Sequence, residues 1–229
     1  MPQPDLIIFD CDGVLVDSEI VAARVEAELI TAAGHPITAE EIAESYAGLT
    51  FRDILMRIEE AAEVPFQATM IDEVERLIDR RLMRELRPVD GARQAVLGVA
   101  VPYCICSNST TARLKMELEK TRLLDLFPED RIFSAQEIPS RRTKPAPDVF
   151  LHAASTLGVG PANAFVVEDS VHGVTGARAA GMRVIGFTGA SHSHHRHSDM
   201  LAEAGAETVI RRWADFPGVV AALSEWSED

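Results

Sequence analysis

Four apolar residues in a row, Leu6-Ile7-Ile8-Phe9, stop abruptly at Asp10-Cys11-Asp12-Gly13. An unbroken run of this kind suits a strand covered on both faces, as in a parallel sheet, where ligands gather beyond the carboxyl ends of the strands. Short apolar runs at 101–106, 131–134, 164–167, 184–187 and 208–210 repeat the pattern. Between them the spacing predicts helices over 111–120, 148–157 and 171–180, with Gly158 and Gly181 closing the last two. Strands alternating with helices predict an α/β fold, a Rossmann-like doubly wound parallel sheet.

Residues 18–86 read differently, with no convincing strand and four helical patterns. Val21, Val25 and Leu29 share one face of a helix over 20–33, which Gly34 ends, and a second helix covers 40–46. Thr50-Phe51-Arg52-Asp53 has the form of a capped helix start leading into Ile54, Leu55 and Ile58. Ile71, Val74, Leu77, Ile78 and Leu82 recur at helical spacing over 69–85. The predicted organisation is a core of 1–17 and 87–229 carrying an inserted all-helical cap domain of 18–86, without internal repeats or low-complexity linkers.

Composition narrows the class of function. The chain has 229 residues, 47% of them hydrophobic, enough for a globular core with an insert. No apolar stretch approaches the roughly 20 residues that cross a bilayer, and Met1-Pro2-Gln3-Pro4-Asp5 has no signal-peptide features, so a soluble, cytoplasmic protein is expected. A formal net charge of -14 argues against nonspecific nucleic-acid or membrane partners. Any anionic substrate must therefore meet local cations, and only three of the 22 basic residues are lysines: Lys115, Lys120 and Lys144. Cys11, Cys104 and Cys106 leave one thiol unpaired in any disulfide scheme, which suits a reducing compartment, with Cys104 and Cys106 read as small core side chains on one strand face. An oligomeric state is not legible here; a monomer is compatible with the composition.

Polar groups fall where the strands end. Asp10/Asp12, Ser107/Asn108 and Glu168/Asp169 follow three strands and Lys144 lies in a loop between the last two, so a parallel sheet would gather them on one edge. Carboxylates collected in this way repel one another unless a cation joins them, and an oxygen-only donor set suits Mg2+. Lys144, the Ser107 hydroxyl and the free amides of the helix start after Ser107 supply positive potential for a phosphoryl group. Asp10 is placed to attack phosphorus, and Asp12 to protonate the leaving alkoxide and later accept a proton from water.

Asp10-Cys11-Asp12-Gly13-Val14-Leu15-Val16-Asp17-Ser18-Glu19, Ser107-Asn108-Ser109, Lys144-Pro145-Ala146-Pro147-Asp148 and Glu168-Asp169-Ser170, with Gly173 and 177–182, resemble the four motifs of the haloacid dehalogenase superfamily in family order. The likeness is to the subgroup with a helical cap after the first strand, which includes beta-phosphoglucomutase and sugar-phosphate phosphatases. It implies Asp10 as nucleophile and Asp12 as general acid/base. Mg2+ would be bound by the Asp10 side chain, the Asp12 backbone carbonyl and Asp169, with Glu168 as a further candidate, while Ser107, Asn108 and Lys144 would hold phosphate. It also implies a small phosphorylated sugar or sugar acid as substrate.

Departures from the family patterns separate the reactions. Asp12 favours phosphoryl transfer over dehalogenation, and a cap without lysine excludes the Schiff-base chemistry of phosphonoacetaldehyde hydrolase. Ala22 stands where the mutase resemblance would require a cap histidine, and the mutase's cap lysine is missing too. A phosphatase is thus favoured over a phosphosugar mutase, and over a noncatalytic phosphate-binding module.

Gly48-Leu49-Thr50-Phe51-Arg52-Asp53 resembles the cap loop that faces the active site in this family. Arg52 in a first helical turn is disfavoured by the macrodipole, a cost that an anionic ligand would offset, although a solvated surface arginine fits equally. Arg24, Arg57, Arg84 and Arg87 are weaker candidates. Ser191-His192-Ser193-His194-His195-Arg196-His197 invites a metal-site reading, but its polar setting favours an exposed flexible loop. His172 is expected near the site rim, and Trp213 and Trp226 in core and terminal packing.

Overall fold

The computed structural model describes residues 4–46, 51–62 and 69–225. Six parallel strands, β1 (Leu6–Phe9), β2 (Tyr103–Ser107), β3 (Ile132–Ser134), β4 (Ala164–Glu168), β5 (Arg183–Phe187) and β6 (Thr208–Ile210), form one sheet in the order β3-β2-β1-β4-β5-β6. All six match predicted runs. The winding direction changes between β1 and β4, where doubly wound sheets open a crevice at the carboxyl ends of their strands.

Burial explains the unbroken apolar runs. Leu6, Ile7, Ile8 and Phe9 are all buried, Ile7 and Phe9 in one core layer and Leu6 and Ile8 in the other. Cys104 and Cys106 lie with Leu6 and Ile8, as their spacing predicts, and all three cysteines are free thiols in the core. On the opposite face Phe9 makes edge contacts with Tyr103, Phe127 and Trp213. Trp213 is a core residue, stacked on Phe187 at 4.7 Å with its Nε1 donating to the Val14 carbonyl at 3.3 Å. Trp226 lies outside the described residues.

Between β1 and β2 come α1 (Glu19–Ala32), α2 (Ala39–Ser45), α3 (Phe51–Ala62) and α4 (Thr69–Glu85), followed by α5 (Ala92–Leu97). The remaining helices are α6 (Thr111–Lys120), α7 (Asp148–Thr156), α8 (Val171–Ala179), α9 (His197–Glu203) and α10 (Phe216–Glu225). The sequence pattern anticipates seven of these and misses α5, α9 and α10. α5 spans less than two turns, α9 buries only His197 and Leu201, and α10 begins Phe216-Pro217-Gly218, which reads as a break. The expected Thr50 cap, with Gly48 and Leu49, lies outside the described residues.

α1 packs on α2 and α4, α4 on α3, and α4 also reaches α6. There the Arg113 guanidinium of α6 donates to Glu75 at 2.8 Å and Asp79 at 2.6 Å of α4. The chain leaves and regains the sheet layer through two adjacent segments, Asp17 N donating to Arg87 O and Val89 N to Leu15 O, both at 2.9 Å. Among the described residues no helix is long and apolar enough to cross a membrane.

Candidate active site

Asp10 prolongs the β1–β4 pairing by donating its amide to Val167 O at 3.0 Å, after which the chain folds sharply, with Leu15 N and Val16 N both donating to Cys11 O. Gly13 makes this turn at φ +70, and a Cβ there would fall 1.8 Å from Asp169 Oδ2. Glycine is therefore required twice, by backbone conformation and by the approach of a carboxylate. The turn leaves the Asp10 and Asp12 carboxyls with different partners. Asp12 accepts from Ser18 Oγ at 2.6 Å and Ser109 Oγ at 2.8 Å, with Ser107 Oγ at 3.4 Å. Neither Ser18 nor Ser109 is singled out by the sequence reading, although both lie inside its motifs.

Lys144 answers Asp10. It is 7% exposed, and its Nζ donates to Asp10 Oδ1 at 2.7 Å, to Cys106 O at 2.8 Å and to Glu168 Oε1. Burial alone would lower the lysine, yet the two carboxylates outweigh it and hold the ammonium proton more tightly than in water. Asn108 fixes the lysine's backbone, its Oδ1 accepting from Lys144 N at 2.8 Å and its Nδ2 donating to Lys144 O at 3.4 Å. Its amide is thus a staple for the lysine loop at the rim of the cavity.

Glu168 is fully buried, and its Oε2 accepts from Ser170 Oγ at 3.1 Å. Gly173, in the first turn of α8, makes room for it, since a Cβ there would lie 2.0 Å from the Glu168 carboxyl carbon. Burial pushes Asp10 well up, Lys144 opposes the rise, and Glu168, Asp169 and Asp12 add to it. Asp10, Glu168 and Asp169 each bring an oxygen within 4.8 Å of the others, and all three are buried. A hard cation fits this donor set, because it would offset charge that one lysine cannot neutralise.

The Ser191–His197 segment corrects the expectation of an exposed flexible loop. Ser191 donates its amide to Asp17 Oδ1 at 3.0 Å and its hydroxyl to Asp17 Oδ2. His192 Nε2 lies 3.1 Å from Asp169 Oδ2, and buried His197 donates from Nε2 to the Asp169 carbonyl at 2.6 Å. Burial would lower His192, but its bond to Asp169 raises it overall. His195 and Arg196 are exposed, as expected of that loop, with His195 3.4 Å from Glu44. The partners Asp17 and Asp169 are distant in sequence, so the local polarity of the segment conceals its tethering.

Above these groups lies a cavity of ≈ 580 Å³ roofed by the helices between β1 and β2. Ala22, Phe51, Ile54, Ile78 and Leu82 give it an apolar wall, and half-buried His172 lies on its lining near the rim. Arg52 is exposed; α3 turns Phe51 and Ile54 to the cavity, in keeping with helical periodicity that buries 51, 54, 55 and 58. Sequence reasoning also missed Glu117 of α6, which lines the cavity with 0% exposure and no hydrogen-bond partner on either carboxyl oxygen. Burial first, then Asp12, pushes it up to about 10, while Glu26 of α1 is raised by burial to about 7.

The family model described as haloacid dehalogenase-like hydrolase matches residues 7–187. The chain is 30% identical over 194 residues to 6-phosphogluconate phosphatase of Escherichia coli, covering 84% of this chain and 86% of that protein. It is 34% identical over 186 residues to hexitol phosphatase B of the same organism, with 78% and 81% covered. A solved structure of a conserved haloacid dehalogenase-like protein of unknown function from Agrobacterium tumefaciens superposes with a TM-score of 0.93 at 54% identity, covering 96% of this chain and 99% of that one.

Proposed function

Since the chain belongs to the haloacid dehalogenase-like hydrolase family and is a phosphatase for a phosphorylated metabolite, we propose that it hydrolyses a small sugar or sugar-acid phosphate through an aspartyl-phosphate on Asp10. The observation that carries this reading is the separate anchoring of two neighbouring carboxyls. Asp10 is held by the Lys144 ammonium at 2.7 Å, a pairing that favours the ionised nucleophile. Asp12 is held by the hydroxyls of Ser18 and Ser109, which can turn to suit either protonation state of an acid/base.

Asp10 Oδ attacks phosphorus, the bond from phosphorus to the ester oxygen breaks, and Asp12 delivers its proton to the departing alkoxide. Water then attacks the phosphoryl group, Asp12 takes a proton from it, and Asp10 is released. Lys144 has all three N–H bonds engaged, so its part is electrostatic, opposing the rise that burial imposes on Asp10 and lowering the cost of phosphate in a buried site. Ser107 stands beside Asp12 at the end of β2 as the hydroxyl for the phosphate.

Mg2+ is the proposed cofactor, held by the side chains of Asp10 and Asp169 and the backbone carbonyl of Asp12, with Glu168 holding Lys144 and adding negative charge. When bound it supplies Lewis-acid stabilisation of charge on the phosphoryl oxygens. Residues 18–86 act as the cap that excludes bulk water. Ala22 lines the cavity and offers no polar group where the mutase resemblance would need a histidine, which supports hydrolysis over isomerisation. Three buried free thiols support the cytoplasm as compartment.

The test is a panel of phosphomonoesters assayed with Mg2+ on the wild type and on Asp10→Asn and Asp12→Asn. Turnover by the wild type and at least about 10³-fold loss in both variants, with unchanged circular dichroism, is expected. Undiminished turnover by Asp10→Asn would overturn the covalent route.

A further inference from the structure

We propose that the leaving-group end of the cavity selects an uncharged, multiply hydroxylated leaving group, a phosphorylated polyol in preference to a sugar acid, and that Glu117 is a specificity-determining contact. This rests on the phosphatase reading and narrows its substrate class. Glu117 and Arg113 sit one turn apart on α6, facing the space under the helical roof. Arg113 and Lys144 are the only arginine or lysine side chains among the described residues that line the cavity, and both are committed. Arg113 is clasped by Glu75 and Asp79, and Lys144 by Asp10 and Glu168. Among the described residues no lysine or arginine of the lining is left to receive a carboxylate on the substrate, and Glu19, Glu26 and Glu75 on the same lining would repel one.

Glu117 also points to a ligand. A buried carboxyl without a partner on either oxygen is unfavourable and calls for a ligand or water to satisfy it. Its burial keeps it a neutral acid at physiological pH, able to donate one hydrogen bond and accept another, the pair that a hydroxyl can both receive and return. Ammonium groups would find charge partners in Glu19 and Glu26 but gain little from a neutral Glu117.

Three six-carbon phosphates differing in one terminal group decide the matter: glucitol 6-phosphate, 6-phosphogluconate and 1-amino-1-deoxyglucitol 6-phosphate, with p-nitrophenyl phosphate as a minimal ester. Glucitol 6-phosphate is expected to have the highest kcat/KM of the three, at least about tenfold above 6-phosphogluconate. Glu117→Leu should raise KM for glucitol 6-phosphate about tenfold with little change in kcat, and Glu117→Gln, which keeps a donor and an acceptor, should stay within about threefold of the wild type. Preference for the acid or the amine, or an unchanged KM in a folded Glu117→Leu protein, overturns the proposal while leaving the phosphatase reading intact. No turnover of any ester, the minimal one included, overturns both.

Discussion

At the sheet edge Asp10, Asp12, Glu168 and Asp169 each have a donor in reach, from Lys144, two serines, Lys144 with Ser170, and His192, whereas Glu117 across the cavity has none. The first group is organised before any substrate arrives, the condition for electrostatic catalysis without reorganisation. Glu117 is left to be completed by what binds. On the proposed reading, the reaction and its selectivity are built by different rules, one by satisfying charge and the other by withholding a partner.

The largest blow to this contrast should come from Lys144→Met, which would make the sheet edge resemble the other side of the cavity. Asp10 and Glu168 would lose their shared cation, and turnover is expected to fall about 10³-fold. Stability should fall by about 3 kcal/mol in urea titrations, because breaking a buried ion pair strands the remaining charge. His192→Ala tests a weaker support: it frees Asp169 Oδ2, and calorimetric titration should show Mg2+ binding about tenfold weaker with the fold unchanged.

Glu117→Gln sharpens the other half through pH. The folded-state value of about 10 lies above the ordinary glutamate value, so between the two the folded chain holds a proton that the unfolded chain has lost, and wild-type stability falls as pH rises. Glutamine removes this dependence. The stability of the variant relative to the wild type should rise between about pH 5 and 8 by up to roughly 1.4 kcal/mol per pH unit, read from thermal melts at each pH. A flat difference would mean that Glu117 is ionised in the folded protein. Arg52→Ala should do least, changing kcat/KM by less than about twofold, as for a solvated surface cation.

Legibility in the sequence follows the same division. Strand ends place Asp10, Ser107 and Glu168, because a continuous apolar run stops where the sheet stops, and the register of β1 with β2 and β4 then brings these ends together. Lys144 was legible from its scarcity and its loop. His192 and His197 were not, since their bonds to Asp169 exist only after β4 and β5 have paired. Glu117 did leave a signal: it falls between Leu114 and Leu118 on the apolar stripe of α6, an acid at a core position among exposed charges. A polar residue in register with a buried stripe is a conflict that foldable sequences tolerate mainly at functional sites.

The paired segments at Leu15–Asp17 and Arg87–Val89 have a consequence for how such a molecule can diversify. Because the two crossing points lie side by side, joined by bonds of 2.9 Å, the intervening segment leaves and rejoins the sheet layer at neighbouring points. A different segment could be grafted at these two junctions without disturbing β1, provided that Ser18 is kept to hold Asp12. One hydrolytic engine could then serve successive substrates, its selectivity replaced as a module.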